Sequence, residues 1–121
     1  MKLTNNQIYN LASSLTEVAN SNTYIPAKAN FFIQKNITTI AKAAQEIDKS
    51  RISIAQHYGT LNEEGTQYSI PQEKAAAANQ ELNDLFGIEQ DLEIKTFKID
   101  DLGDTQFTTS QMQAIMFMIE D

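Results

Sequence analysis

Several residue types that carry chemistry are missing or rare in this sequence. There is no cysteine, and there is a single histidine, His57. The absence of cysteine excludes disulfides, thiolate metal sites and cysteine nucleophiles, and one histidine excludes a site that needs two imidazoles. There is also no phosphate-binding glycine loop and no catalytic serine elbow. We therefore predict that the protein is not an enzyme and binds neither a cofactor nor a metal.

Glycine and proline are scarce, with 4 and 2 among 121 residues. No apolar run reaches the roughly 18 residues that a membrane-spanning helix needs, and residues 1–7 lack the apolar stretch of a signal peptide. Apolar residues make up 41% of the chain and charged residues 21%, which is typical of a globular, helix-rich protein. We predict a single domain over residues 1–121 and no membrane association.

The net charge of −7 is unevenly distributed along the chain. Residues 1–60 contain six bases and three acids, and residues 61–121 contain three bases and thirteen acids. This division predicts a basic helical hairpin (1–60) joined to an acidic α/β portion (61–121), whose charges attract each other within one molecule or between subunits. The basic half has too few cations for duplex nucleic acid, so we expect no such ligand.

Two helices are predicted in the first half of the chain. Thr4 and Gln7 form a capping-box pattern, and the apolar stripe that follows indicates a helix ending near Ala19. Pro26 suits the start of a long helix over about 27–58, which ends before Gly59. These helices should form an antiparallel hairpin. The long helix carries a heptad stripe: Ile33, Ile37, Ile40, Ala44, Ile47, Arg51, Ile54 and Tyr58.

The second half predicts a mixture of helix and strand, so the fold class is α+β and mostly helical. We expect a small two-stranded sheet formed by about 67–70 and 92–99, a third helix over about 72–86 and a C-terminal helix over about 108–119. The first helix covers only half of the long one, so its remainder must pack against the second half of the chain or another subunit. We expect a homo-oligomer with this interface: Ile47, Ile54, Met116 and Met118.

Charged residues supply the candidate interaction surfaces. Arg51 interrupts the apolar stripe, which indicates that its side chain snorkels to solvent or forms an ion pair with an acid of the second half. Alternatively, Arg51 sets the register at an oligomer interface or binds a small anionic ligand. His57 and Tyr58 end the long helix and are assigned to a surface or interface. Two further sets of charged residues are either solvated or used for docking. The first, the basic line, comprises Lys28, Lys35, Lys42 and Lys49. The second, the acidic cluster, comprises Glu81, Asp84, Glu89, Asp91, Glu93, Asp100, Asp101 and Asp104.

The layout of the whole chain resembles a small phage-encoded family, domain-of-unknown-function family 1617. The motifs that carry the resemblance are the opening Met1–Gln7, the Pro26-anchored long helix ending in Gln56-His57-Tyr58-Gly59, the turn Glu63-Glu64-x closed by Gly65, the segments 82–92 and 94–99, and the apolar ending 112–119. The family has no established activity. The resemblance implies a phage or prophage protein made in the cytoplasm of a bacterial host, where it stays or enters the virion.

Three functions are compatible with a small, acidic protein without catalytic motifs. The leading hypothesis is a binding protein that acts stoichiometrically on a protein partner of host or phage, most plausibly as an anti-defence inhibitor of a host factor. An alternative is a virion or assembly accessory protein of the tail, baseplate or connector. A third is an oligomeric sponge for a nucleotide signal, with Arg51 and the basic line as cationic contacts.

Overall fold

The computed structural model describes residues 1–120 and contains four α-helices, two short 3₁₀ segments and six very short strands. The α+β, mostly helical class is therefore confirmed. In chain order the elements are β1 (Lys2–Thr4), α1 (Asn5–Ala19), α2 (Ala27–Tyr58), β2 (Thr60–Leu61), β3 (Tyr68–Ser69), α3 (Gln72–Phe86), β4 (Glu89–Asp91), β5 (Phe97–Lys98), a 3₁₀ turn (Ile99–Leu102), α4 (Thr109–Ile115), a second 3₁₀ turn (Met116–Met118) and β6 (Ile119–Glu120).

The helix boundaries follow local sequence signals. Thr4 caps α1 by accepting a hydrogen bond from the Gln7 backbone N–H at 3.1 Å, and the Gln7 side chain accepts from the Thr4 N–H at 2.8 Å. This is the predicted capping box. The helices α2 and α3 each begin after a proline and end before a glycine, because proline fits the N-terminal turn and glycine favours termination.

The core is formed by α1, the proximal part of α2, α4 and the C-terminal 3₁₀ turn, together with buried side chains of β1, β5 and the first 3₁₀ turn. On α2 the buried residues are Ala29, Ile33, Asn36, Ile40, Ala43 and Ile47. Ile33, Ile40 and Ile47 belong to the predicted heptad stripe, whereas Ile37 and Ala44 are only partly buried. The predicted heptad period is therefore correct, but the buried side of the helix includes Asn36 and Ala43 in place of Ile37 and Ala44.

The strand pairing differs from the prediction. Residues 67–70 do not pair with 92–99; instead β3 pairs antiparallel with β2, β4 pairs antiparallel with β1, and β5 pairs parallel with β6. The hairpin β2–β3 closes locally because Gly65 adopts a left-handed φ of 72° in the turn. Residues 92–96 are not strand. Among them, the Lys95 backbone N–H donates to Asn36 Oδ1 and the Lys95 carbonyl accepts from Asn36 Nδ2, each at 2.8 Å.

The C-terminal helix is shorter than the predicted 108–119. Thr108 caps α4, which ends at Ile115, and the chain continues through a 3₁₀ turn into β6. The 3₁₀ turn spaces the fully buried Ile115 and Met118 one turn apart, while Met116 between them is 60% exposed. Pairing of β6 with β5 then takes the chain out of helical conformation.

Candidate functional site

The long helix α2 is well covered in its proximal part and poorly covered at its distal segment (residues 48–58). None of these distal residues is fully buried. The reason is length: α1 has 15 residues and α2 has 32. Near its N-terminus α1 reaches the distal segment through Tyr9, whose hydroxyl donates to Asp48 at 3.1 Å. Beyond that point another part of the chain must cover α2.

The hairpin β2–β3 and α3 fold back onto the distal segment, so the second half of the chain supplies the missing partner. A close approach at Gly59 allows the hairpin to start there, since a Cβ at this position would lie 2.7 Å from the Ala55 carbonyl oxygen and 3.2 Å from that of Ser69. Pro71 then starts α3, in which Ala78 is fully buried while Leu82, Leu85 and Phe86 are only partly buried.

This coverage is incomplete and leaves a cleft of about 670 Å³ between the distal segment, the hairpin and α3. We call it the distal cleft. Its lining is mostly apolar and comprises Arg51, Ile52, Ile54, Ala55, Thr66, Gln67, Tyr68, Ile70, Leu82 and Phe86. The volume lies within the roughly 300–1,000 Å³ of typical binding pockets, and apolar walls with a few polar groups are their usual composition.

The lip of the distal cleft carries exposed apolar side chains. Tyr68 and Ile70 are two residues apart along the β3 strand direction, so both point to the same side. Leu61 is directly opposite Tyr68 in the hairpin register, which places it on that side as well, and it is 51% exposed. On α2, Ile52 is 37% exposed. The apolar surface therefore continues from the cleft onto its lip.

One end of the distal cleft is formed by a polar cluster. The Arg51 Nε donates to Asp48 Oδ1 at 2.9 Å, and the Tyr9 ring packs edge-on against Phe86 with centroids 5.5 Å apart. The hydrogen bond from Arg51 lowers the pKa of Asp48, and the same bond raises the pKa of Arg51. The predicted pairing of Arg51 with an acid of the second half is wrong, because Asp48 lies one turn away on the same helix.

His57 and Tyr58 lie at the end of α2 and outside the cleft lining. Their rings contact edge to face with centroids 4.6 Å apart. The neighbouring Glu81 carboxylate on α3 raises the pKa of Tyr58. The histidine is exposed. Tyr58 is half-buried. The assignment of both residues to an interaction surface stays a prediction.

The basic line is exposed along α2, at Lys28, Lys35, Lys42 and Lys49. Part of its charge is matched inside the molecule. Lys28 Nζ lies 3.5 Å from Asp101 Oδ2, and the charge of Lys35 contributes to the lowered pKa of Glu93, whose main cause is a hydrogen bond from Lys95. The Lys35 ammonium also lies 5.9 Å from the Phe31 ring centroid. Only part of the line is free for docking.

The acidic cluster of the sequence is divided among three places in the fold. Glu81 and Asp84 belong to α3, whereas Glu89, Asp91 and Glu93 lie in β4 and just after it. The other members, Asp100, Asp101 and Asp104, lie in and after the first 3₁₀ turn. Asp91 pairs with the N-terminal ammonium group at 2.9 Å, and Asp101 with Lys28. The cluster is thus not carried by a single element.

The predicted oligomer residues have different environments. Ile47 and Met118 are 2% and 0% exposed inside the single chain, so their burial needs no partner and they are removed from the candidate interface. Ile54 lines the distal cleft, and Met116 is 60% exposed. Sequence reasoning missed most of the cleft lining, since Ile52, Ile70 and Leu82 show their common location only after the hairpin is placed.

The arrangement suits binding of an apolar surface. Within residues 1–120, no group of three or more potential metal-ligating side chains comes together. In the same described part of the chain, no helix is both long and apolar enough to cross a bilayer.

No protein-family model, curated protein or solved structure matches the chain. The resemblance to the phage family stays a prediction.

Proposed function

We propose that this protein is a non-enzymatic binding protein that acts stoichiometrically on a protein partner through the distal cleft. The observation that supports the proposal is the cleft itself, whose apolar lining continues onto the exposed side chains of Ile52 and Leu61. Exposed apolar surface of this kind marks interaction sites in monomeric folds. The other exposed large apolar residues are Met1, Tyr24, Phe31, Ile88, Ile99 and Met116, and none of them lines the cleft.

The resemblance to a phage family suggests that the partner is a bacterial host factor, most plausibly a component of host defence. Blocking such a factor requires a surface and no chemistry. The virion accessory and nucleotide sponge functions remain alternatives, but the sponge loses its main cation because Arg51 is engaged by Asp48 at 2.9 Å.

Site-specific photo-crosslinking in bacterial cells tests the proposal. A photoreactive residue replaces Ile52 at the cleft lip or, as a matched control, Phe31, which is exposed on the same helix. We expect position 52 to give a predominant one-to-one adduct with a host protein, and position 31 to give none. Adducts at position 52 that contain only virion proteins would favour the assembly function, and equal adducts from both positions would contradict a role of the cleft.

Inhibition is tested separately by phage plating on a defended host. Expression of the chain should raise the plating efficiency of a phage that the defence restricts, and the Ile52→Asp variant should lose this effect. The Phe31→Asp variant should retain it. Full activity of Ile52→Asp would contradict inhibition through the cleft.

A further inference from the structure

The distal cleft lies on the same side of α2 as a shallow depression between α1 and α2. Along α2, Ala41, Ala44, Asp48, Ile52 and Ala55 recur at spacings of three and four, so they share one side of the helix. The first three face α1 in the shallow depression where the two helices meet, and the last two line the cleft. The helix α1 therefore lies along the proximal part of this side and leaves the distal part open.

The boundary between the two parts is the start of α1. Tyr9 contacts Asp48 through its hydroxyl and Phe86 through its ring edge, and both contacts lie at the end of the cleft. A helix that entered the cleft would lie beside α2, in line with the depression between α1 and α2. The walls thus favour a helical occupant that inserts apolar side chains at positions i, i+3 or i+4, and i+7.

The charge of the walls defines the second property of the occupant. The hairpin and α3 together, residues 60–86, carry five acids and one base, a net charge of −4. The acids are Glu63, Glu64, Glu73, Glu81 and Asp84, and all are exposed. Arg51 is the lone cation in the lining, and Asp48 neutralises it. None of the five acids lines the cleft itself. An approaching segment therefore meets an apolar floor between two elements whose exposed surfaces are acidic, here called the acidic walls, and their net charge attracts positive charge.

We propose that the distal cleft binds a basic, amphipathic helical segment of the partner protein. This inference rests on the proposed function and adds the partner's chemistry: apolar anchors for the floor and flanking lysine or arginine residues for the acidic walls. A second copy of the chain is disfavoured as occupant because its basic helix, α2, already has its apolar side buried in its own core.

Selection from a displayed peptide library tests the chemistry of the occupant before the partner is identified. The library contains random peptides as long as α1, 15 residues, and the target is the full chain. We expect the enriched peptides to be helical and amphipathic with a positive net charge. Enrichment of acidic or uncharged peptides, or of none, would overturn the inference.

Binding of the best peptide, measured by fluorescence anisotropy, locates the site. We expect Ile52→Asp to weaken binding about tenfold or more, because it places a charge on the apolar lip. Phe31→Asp, on the same helix and 58% exposed, should leave binding unchanged. Equal loss in the two variants would overturn the location, and wild-type affinity in Ile52→Asp would do the same.

A charge-matched pair of double variants separates local attraction from the effect of net charge. Glu63→Lys with Glu64→Lys and Asp100→Lys with Asp104→Lys change the total charge equally, but only the first pair lies in the hairpin that forms one side of the cleft. We expect the first pair to weaken binding about tenfold and to reduce its dependence on salt, while the second has little effect. Equal effects would overturn the role of the acidic walls.

Two outcomes distinguish this inference from the proposed function. If crosslinking at position 52 captures a host protein but the selected peptides are not basic, the proposed function stands and this inference is overturned. If sedimentation shows a wild-type dimer that Ile52→Asp dissociates, the occupant is a second copy and the inference is overturned.

Discussion

At the scale of single residues, the fold depends on two asparagines inside its core. Asn36 is 0% exposed on α2 and makes two 2.8 Å hydrogen bonds with the backbone of Lys95. Asn5 is 3% exposed, donates to the Leu85 carbonyl and accepts from Gln90. The Asn36 side chain fixes the non-helical residue Lys95 against α2, and the Asn5 side chain fixes the end of α3 and the strand β4 against α1. The burial of these two asparagines could not be predicted from the sequence, because the helical periodicity identifies buried positions only where they carry apolar residues.

Replacing Asn36 with leucine should destabilise the protein. The Lys95 N–H and C=O would lose their side-chain partner, and each unpaired buried group costs about 1–3 kcal/mol, so we expect a loss of roughly 3 kcal/mol or more. Urea unfolding measures it. Asn10→Ala, at an exposed position of α1, is the control and should change stability little. Equal stability of the two variants would contradict the role of Asn36.

The pH dependence of stability should respond to Asp48. Its pKa is lowered in the folded protein, chiefly by the hydrogen bond from Arg51, so its contribution is present above the unfolded pKa of about 3.9 and is lost as pH falls through the lower folded value. Asp48→Asn removes this titration. We expect the urea midpoint of the variant to fall less than that of the wild type between neutral pH and about pH 3.

Asp101→Asn is the comparison for Asp48→Asn. It also removes an acid of an ion pair, with Lys28 at 3.5 Å, but this pair lies outside the cluster of Tyr9, Asp48 and Arg51. Identical pH profiles of Asp48→Asn and the wild type would show that the cluster contributes nothing to folding stability in acid.

At the scale of elements, the first three helices were predictable, whereas the C-terminal helix was predicted too long and the strand pairing was wrong. Proline before and glycine after α2 and α3 fix both ends of each helix by local geometry, and the predictions 27–58 and 72–86 match the structure. The strands are two or three residues long, too short for a period to appear, and two of the three pairings join distant parts of the chain. The pairing therefore depends on packing that no local pattern records.

The candidate site was predictable only in outline. The mismatch in length between α1 and α2 indicated an uncovered distal segment, and the structure has the second half of the chain folding back onto it. The cleft itself depends on how far the hairpin stands from α3. The position of the hairpin against α2 is constrained at Gly59, where backbone atoms of Ala55 and Ser69 approach too closely for a side chain.

Gly59→Ala should loosen the hairpin and reshape the distal cleft. The new methyl group would collide with the Ala55 carbonyl oxygen at 2.7 Å and crowd that of Ser69, so the hairpin must move away from α2. Hydrogen exchange followed by mass spectrometry should show faster exchange at 60–70, with protection near wild type over 29–47. Ser53→Ala, exposed on α2, is the control. Unchanged exchange at 60–70 would contradict a constraint at Gly59.

At the scale of the whole molecule, the basic and acidic halves are held together mainly by packing. Among residues 1–120, two ion pairs join the halves, Lys28 with Asp101 and the N-terminal ammonium with Asp91. Arg51 with Asp48 and Lys95 with Glu93 each lie within one half. Exposed pairs contribute about 0–1 kcal/mol each. The excess acidic charge of the second half is therefore left for solvent and partners.

The predicted oligomer can be tested at a defined position. With Ile47 and Met118 buried in the core, Met116 is the remaining predicted interface residue outside the cleft. We expect light scattering to give a multiple of 13.6 kDa for the wild type. Met116→Asp should give the monomer mass, because a charge on an apolar interface opposes association. A wild-type mass of 13.6 kDa would contradict an oligomer.

The two buried asparagines also have a consequence for the order of folding. Helices α1 and α2 are neighbours in sequence, so their hairpin can form quickly from local contacts. The carbonyl groups that accept from Asn36 and Asn5 are 59 and 80 residues away along the chain. Until these groups arrive, the early hairpin presents two polar amides on the surfaces that will become its core. Closing these long loops is entropically costly, so we expect it to limit the folding rate. A chain truncated before residue 85 should form helix without cooperative unfolding.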